Sequence, residues 1–162
     1  MDRYLPLLLF PGLVFLGCDS SKENKATYYP HKLDSVPYSE SVQVGNMLYI
    51  SGQIANVDDD YNKIVEGGIR PQVNQAMINI QNILKKHNAT MDDIVKCTCI
   101  LENGDDWAQM SEEYVKYFKI HKPARTTFGG AELGDGILVE IECIANLKQS
   151  PTSIFYCLWD EG

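Results

Sequence analysis

The sequence reads PARTTF at residues 123–128 and LVEIE at residues 138–142. These two short β-type runs near the C-terminal end indicate more about fold and chemistry than any other part of the chain. The first contains Arg125, whose planar and permanently charged guanidinium can bind a carboxylate through two parallel hydrogen bonds. The second alternates apolar residues with Glu140 and Glu142, and a glutamate on such a strand can handle a proton or a water. Together the runs predict a pocket for a small carboxylic acid beside one acid–base group.

A structural interpretation of the same residues competes with this one. An exposed arginine commonly forms a surface ion pair worth about 0–1 kcal/mol, and Glu140 and Glu142 are also compatible with a solvated strand face. Spacing alone favours this interpretation, so the chemical one depends on the rest of the chain.

The apolar periodicity predicts the order ββ-α-β-α-ββ. The strands are predicted at residues 42–44, 47–54, 94–101, 125–128 and 137–147, with a Gly45-Asn46 turn between the first two. One helix is predicted to begin at Pro71 and to end near Asn88, and a second to be capped by Asp105. A stripe of aromatic residues and one methionine on the second helix is predicted to be core; it consists of Trp107, Met110, Tyr114, Tyr117 and Phe118. Residues 58–62 are predicted to be a solvated loop.

This order predicts an α+β fold in which two helices cover one face of a mixed sheet. The strands at 94–101 and 137–147 are apolar on both sides, which indicates that a partner subunit buries the other face.

Charge excludes one class of function. The 162 residues contain 14 Lys plus Arg against 22 Asp plus Glu, a net charge of −8. Nucleic-acid binding depends on basic patches that displace counterions, and the sequence contains no such patch. We therefore predict no nucleic-acid partner.

The N-terminus divides into three predicted segments. Residues 1–17 resemble a lipoprotein-type signal peptide, because an apolar run too short to span a bilayer precedes Gly17-Cys18. Cys18 is the predicted lipidation site, residues 18–33 the predicted polar, flexible tether, and residues 34–149 the domain. This predicts an exported, envelope-associated protein that meets the membrane only through its lipid anchor. A cleaved secretory signal without lipidation and an uncleaved apolar anchor are the alternatives. Residues 150–162 form an aromatic C-terminal tail.

The remaining cysteines do not have metal-site spacing. Cys97 and Cys99 lie two apart on one strand, and the chain has only three histidines, so we predict no metal. Two disulfides are the alternative in an exported protein, but we interpret Cys97, Cys99 and Cys143 as small buried apolar groups.

With these residues in place, the chain resembles the Rid family, the reactive intermediate deaminases (YjgF-type or L-PSP proteins). The resemblance runs from about Tyr38 to Ala145. It rests on the segments at residues 37–39, 44–47, 51–54, 75–80 and 92–96 and on the two runs quoted first.

The resemblance implies a homotrimer of chorismate-mutase-like α+β subunits with pockets at the subunit interfaces. It implies hydrolysis of reactive enamines and imines, of the 2-aminoacrylate type, to 2-oxo acids and ammonia, with no cofactor. Arg125 would bind the substrate carboxylate and Glu140 would position or activate the attacking water. Backbone groups at Gly52 and Thr127 would bind the substrate, and Tyr38 would close the pocket.

Two residues depart from the family pattern. Thr127 stands where several members have Cys, and Ser111 stands at a substrate-side position where members often carry Asn.

The alternatives to a deaminase are a non-catalytic trimer that binds small carboxylates and a ribonuclease, and the charge of −8 disfavours the ribonuclease.

Overall fold

The computed structural model describes residues 25–58 and 60–148, and they form one six-stranded sheet, one two-stranded sheet and two helices. The strands, in chain order, are β1 (Ala26–Pro30), β2 (Ser39–Val44), β3 (Met47–Gln53), β4 (Asn56–Val57), β5 (Asp60–Ile64), β6 (Ile94–Leu101), β7 (Ala124–Gly129) and β8 (Val139–Asn146). The helices are α1 (Ile69–Lys86) and α2 (Trp107–Tyr114). Short 3-10 turns lie at Met91–Asp93, Gly104–Asp106 and Val115–Tyr117.

The large sheet has the strand order β1-β2-β3-β8-β6-β7. Its neighbours pair antiparallel except β6 and β7, which pair parallel. Both helices pack on one face, where fully buried side chains from α1, α2 and alternate strand positions form the core. The predicted α+β fold, with a mixed sheet and two helices on one face, is confirmed.

Helix α1 begins two residues before the predicted position. Pro71 therefore lies in its first turn, where backbone N–H groups have no intrahelical partner and proline costs little. Val73, Met77 and Leu84 point into the core with no exposed surface. Asn88, with a φ of 54°, lies just beyond the end of the helix.

Two segments that were predicted to be irregular form strands. β1 lies inside the predicted tether and pairs antiparallel with β2, and the Tyr29 hydroxyl donates to Gln43 at 3.0 Å. Polar neighbours in the sequence obscured this short Tyr-Tyr strand. The predicted solvated loop instead forms the β4–β5 hairpin. The folded unit thus begins before residue 34. The predicted signal peptide, Cys18 and the tail at 150–162 lie outside the described residues.

Helix α2 also differs from its prediction. Asp105 does not cap it, because a 3-10 turn precedes the helix and places Asp106 at the N-cap position. That turn is capped by Asn103, whose side chain accepts the N–H of Asp105 at 3.0 Å. Met110 is buried as predicted. Trp107 is not core, since 51% of its surface is exposed.

The second face of the sheet carries exposed apolar side chains. Tyr28, Tyr49 and Phe128 lie on it, with 68%, 46% and 50% of their surface exposed. Such a face is what a partner subunit would cover, and the homotrimer stays a prediction. None of the helices in the described ranges has the length and apolar character needed to cross a membrane.

Candidate active site

Arg125 lies on β7, the edge strand of the sheet, and its side chain points towards α2. Its Nη2 donates to the Ser111 hydroxyl at 2.9 Å, and Nη1 lies 3.9 Å from the sulfur of Met110. The guanidinium carbon lies 5.3 Å from the ring centre of Trp107 and 5.0 Å from that of Tyr114. Four residues of one helix therefore hold this cation in place.

This environment suits the binding of an anion. Cation–π contacts contribute about 0.5–2 kcal/mol each, and they fix the plane of the guanidinium without neutralising its charge. A guanidinium has five N–H donors in a rigid fork, so the contacts to Ser111 and Met110 leave N–H groups for a carboxylate. The arrangement of Arg125 fits the binding role that the resemblance implies.

Glu140 lies on β8 with its side chain on the opposite face of the sheet. Burial, and then the negative charge of Glu142, raise the pKa of the Glu140 carboxyl above its usual value. A carboxyl group with a raised pKa exchanges protons more readily near neutral pH, as a general acid–base group requires.

Gly52 leaves room for this carboxylate. It lies at a shift of register between Ile50 and Gln53 on β3, beside β8. A Cβ at residue 52 would lie 1.8 Å from Oε1 of Glu140, so only glycine allows this close approach. The structure therefore brings together Gly52 and Glu140, which are two of the predicted site residues.

The register of the strands separates Glu140 from Arg125. Arg125 pairs with Cys97, which is buried on the face that the helices cover. Glu140 pairs with Ile100, which is three residues further along β6 and so points to the opposite face. Because successive side chains of a strand point to opposite faces, Arg125 and Glu140 lie on opposite faces of the sheet. A single chain does not bring these two side chains together.

Tyr38 directly precedes β2, and its hydroxyl lies 3.1 Å from that of Tyr61. Its ring also lies beside that of His31, with centroids 6.1 Å apart. Among the predicted site residues, Gly52 and Glu140 therefore form one group and Ser111, Arg125 and Thr127 form another, whereas the side chain of Tyr38 contacts Tyr61 and His31.

The side chain of Thr127 faces the same way as that of Arg125, two residues along β7. Its hydroxyl oxygen is buried and has no hydrogen-bond partner among the described residues, and the same holds for the hydroxyl of Tyr114. From the sequence, Thr127 is expected to act through its backbone only. Trp107 and Tyr114 are not recognisable there as site residues, because their helical spacing is equally typical of core residues.

A polar cleft of about 360 Å³ lies between α1, the residues before β2 and the β4–β5 hairpin. None of the predicted site residues lines it. Within the described ranges, no group of three or more His, Cys, Asp or Glu residues is placed to hold a metal ion.

Comparison with known proteins places this fold and site in a family. The family model described as Endoribonuclease L-PSP matches residues 31–147. A 2-iminobutanoate/2-iminopropanoate deaminase of Mus musculus is 38% identical over 109 residues, which cover 67% of this chain and 80% of that protein. A RutC family protein of Pyrococcus abyssi is 38% identical over 109 residues, which cover 67% of this chain and 85% of that protein.

Solved structures of related proteins have the same fold. Yeast Mmf1 has a TM-score of 0.67 at 34% identity, covering 76% of this chain and all of that one. RidA from an Antarctic Psychrobacter has a TM-score of 0.64 at 32% identity, covering 74% of this chain and 94% of that one. These matches define the chain as an α+β protein of the L-PSP type. It belongs to the Rid/YjgF/L-PSP family, as its sequence predicted.

Proposed function

We propose that this protein hydrolyses reactive imines and enamines of small amino acids, of the 2-aminoacrylate type, to 2-oxo acids and ammonia. The observation that carries the proposal is the arginine held by α2. Arg125 is oriented by Ser111 and by two aromatic rings, and its remaining N–H groups suit the carboxylate that such substrates carry. The relative from Mus musculus, named for a deaminase, supports it.

The proposed pocket forms between subunits of a homotrimer. Arg125 and Thr127 lie at one edge of the sheet, whereas Glu140 and Gly52 lie on the face that the helices leave uncovered. In a cyclic trimer, the edge of one subunit meets a different surface of its neighbour. The arginine group of one subunit can then face the glutamate group of the next.

The chemistry needs only positioning and one proton carrier. Arg125 binds the carboxylate and so places the C=N carbon beside the water that Glu140 holds. Glu140 accepts a proton as the water oxygen bonds to that carbon and passes it to the nitrogen, which gives a carbinolamine. Glu140 then carries the hydroxyl proton of the carbinolamine to the same nitrogen, so that the C=O bond forms as the C–N bond breaks and ammonia leaves. No cofactor takes part in this scheme.

The test is ammonia release from an imine generated in situ by an amino-acid oxidase. We expect Arg125→Ala to lower kcat/KM by roughly 10²–10³-fold, because removing one partner of a buried, hydrogen-bonded charge pair costs about 2–5 kcal/mol. Arg70→Ala is the matched control, because Arg70 is a partly exposed arginine that pairs with Glu112 at 2.5 Å and not with any of the predicted site residues. Hydrolysis that Arg125→Ala leaves intact would refute the role of Arg125.

A non-catalytic trimer that binds small carboxylates is the second candidate, because the same Arg125 environment suits anion binding without turnover. Binding of a stable 2-oxo acid, measured by calorimetry, separates the two. If the trimer binds the acid but does not accelerate imine hydrolysis, and Glu140→Gln leaves the affinity unchanged, the binding function replaces the deaminase.

Export is a separate proposal that rests on residues 1–18 alone. Labelling with radioactive palmitate, with Cys18→Ser as the control, tests it, and labelling that survives this substitution would exclude lipidation at Cys18.

A further inference from the structure

A pair of thiols lies beside Arg125 in the same row of the sheet. Cys97 of β6 pairs directly with Cys143 of β8 on one side and with Arg125 of β7 on the other. Both cysteines are free and buried, with 0% and 2% of their surface exposed. The row Cys143–Cys97–Arg125 therefore runs across three adjacent strands beneath α2.

The pairing meets the geometric requirement of a disulfide. Directly opposed residues of antiparallel strands have Cα atoms about 4.5–5.5 Å apart, and disulfides need about 4.4–6.8 Å. Cys99 does not meet it, because it pairs with Ile141. It is thus diagonal to Cys143, at about 7–8 Å.

The two sulfurs of the pair differ in their acid–base character. A hydrogen bond from Cys143 lowers the pKa of the Cys97 thiol, and the positive charges of Lys96 and Arg125 act in the same direction. Burial raises the pKa of the Cys143 thiol. Burial also raises the pKa of Cys99, to about 12. In the folded chain, the surroundings therefore favour the thiolate form at Cys97 more than at Cys99 or Cys143.

We propose that Cys97 and Cys143 are a disulfide site, which closes when the chain folds in the presence of a small-molecule disulfide such as oxidised glutathione. The thiolate of one of these cysteines attacks the oxidant and displaces one glutathione thiolate. The thiolate of the other cysteine then attacks the protein sulfur of the mixed disulfide and displaces the second. The protein loses two electrons and two protons, and the oxidant becomes two molecules of reduced glutathione.

Burial decides when the reaction takes place. Neither sulfur is accessible in the folded chain, so exchange occurs while β6 and β8 are still pairing, and the packed core then protects the bond. The bond would join the central strand β8 to β6 next to the strand that carries Arg125.

The test uses full-length chains in which serine or alanine replaces all but two of the five cysteines. The C18S/C99A/C157S chain keeps Cys97 and Cys143. The matched control, C18S/C97A/C157S, keeps Cys99 and Cys143. Each is refolded from denaturant with oxidised and reduced glutathione, unfolded again and alkylated, and the labels are counted by mass spectrometry.

We expect the chain with Cys97 and Cys143 to lose both labels and the control to keep both. Trypsin should then yield residues 97–116 joined to residues 126–148, and the Tm should fall when a reductant is added. Two retained labels in a chain that has regained its native circular dichroism would overturn the proposal, as would equal loss of labels in the control. In the unsubstituted chain, the same linked peptide should appear after oxidative refolding, and a different pairing there would also contradict it.

Discussion

Arg125 and Glu140 lie on opposite faces of one sheet, with strand β6 between the strands that carry them. The proposed reaction needs one of these side chains for the carboxylate and the other for water. A pocket built from both must therefore take them from different copies of the chain.

Mixing two inactive variants tests this arrangement. Arg125→Ala and Glu140→Gln are each expected to lose hydrolysis. When the two are unfolded together in equal amounts and refolded, about one quarter of the interfaces in randomly assembled trimers should join an intact Arg125 to an intact Glu140. Recovery of about one quarter of wild-type ammonia release is expected. A mixture that assembles but stays inactive would contradict a shared site.

Gly52→Ala should remove activity without unfolding the chain. The new Cβ would lie 1.8 Å from Oε1 of Glu140, so the carboxylate must move, and the loss in kcat should match that of Glu140→Gln. The control is Gly104→Ala, whose Cβ would lie 4.0 Å from its nearest neighbour. Full activity in a folded Gly52→Ala protein, judged by circular dichroism, would show that the position of this carboxylate is unimportant.

Glu142→Gln should shift the pH dependence of kcat/KM. Protonated Glu140 cannot accept a proton from water, so activity falls as the pH decreases through its pKa. The charge of Glu142 raises that pKa, and removing the charge lowers it. The acid limb of the profile should therefore move to lower pH, whereas Glu112→Gln, at an exposed glutamate on α2, should leave it in place. A shift to higher pH would contradict the assignment.

Ser111→Ala should weaken substrate binding more than turnover. The Ser111 hydroxyl accepts from Nη2 of Arg125 at 2.9 Å, and the net loss of such a bond is about 1 kcal/mol, or roughly fivefold in KM. Ser111→Asn offers a carbonyl oxygen in place of the hydroxyl and should recover most of the affinity. If both variants bind a 2-oxo acid as tightly as the wild type, Ser111 does not orient Arg125.

His87 should make the fold less stable in acid. Its ring packs edge-on to Tyr29 with centroids 4.4 Å apart and lies 3.2 Å from the Ser41 hydroxyl. Burial lowers the pKa of His87 below its usual 6.5, so the folded chain favours the neutral ring. The contribution of the neutral His87 ring to the free energy of unfolding is fully present above pH 6.5. It is lost as the pH falls through the pKa that His87 has in the folded chain.

Urea unfolding measures this effect. The free energy of unfolding should decrease between pH 7.5 and 5.5, and the decrease should be smaller in His87→Gln. His121→Gln, at an exposed histidine, should behave as the wild type. An equal decrease in His87→Gln would assign the acid sensitivity to other groups.

Much of the fold followed from periodicity in the sequence. The limits of β6 were predicted to the residue, because buried Cys97, Cys99 and Leu101 alternate with half-buried positions along most of the strand. β1 was missed, since a strand of five residues in a polar segment gains its stability from pairing with β2, which the local sequence does not show. Trp107 was misplaced because a helical stripe does not reveal which of its members faces an arginine on a distant strand.

The candidate site was only partly accessible to sequence reasoning. The resemblance supplied the identities of Arg125 and Glu140, but their placement on opposite faces depends on the register of β6 against β7 and β8. The pairing of Cys97 with Cys143 has the same origin, since residues 46 positions apart become neighbours only through that register.

The close contact at Gly52 also restricts how this chain can evolve. Every single-nucleotide change that alters the amino acid of a glycine codon introduces a Cβ or ends translation. Every such substitution at residue 52 therefore displaces the side chain of Glu140. A lineage that uses Glu140 in this position must therefore keep glycine at residue 52, and a substitution of Gly52 alone is enough to disable the site.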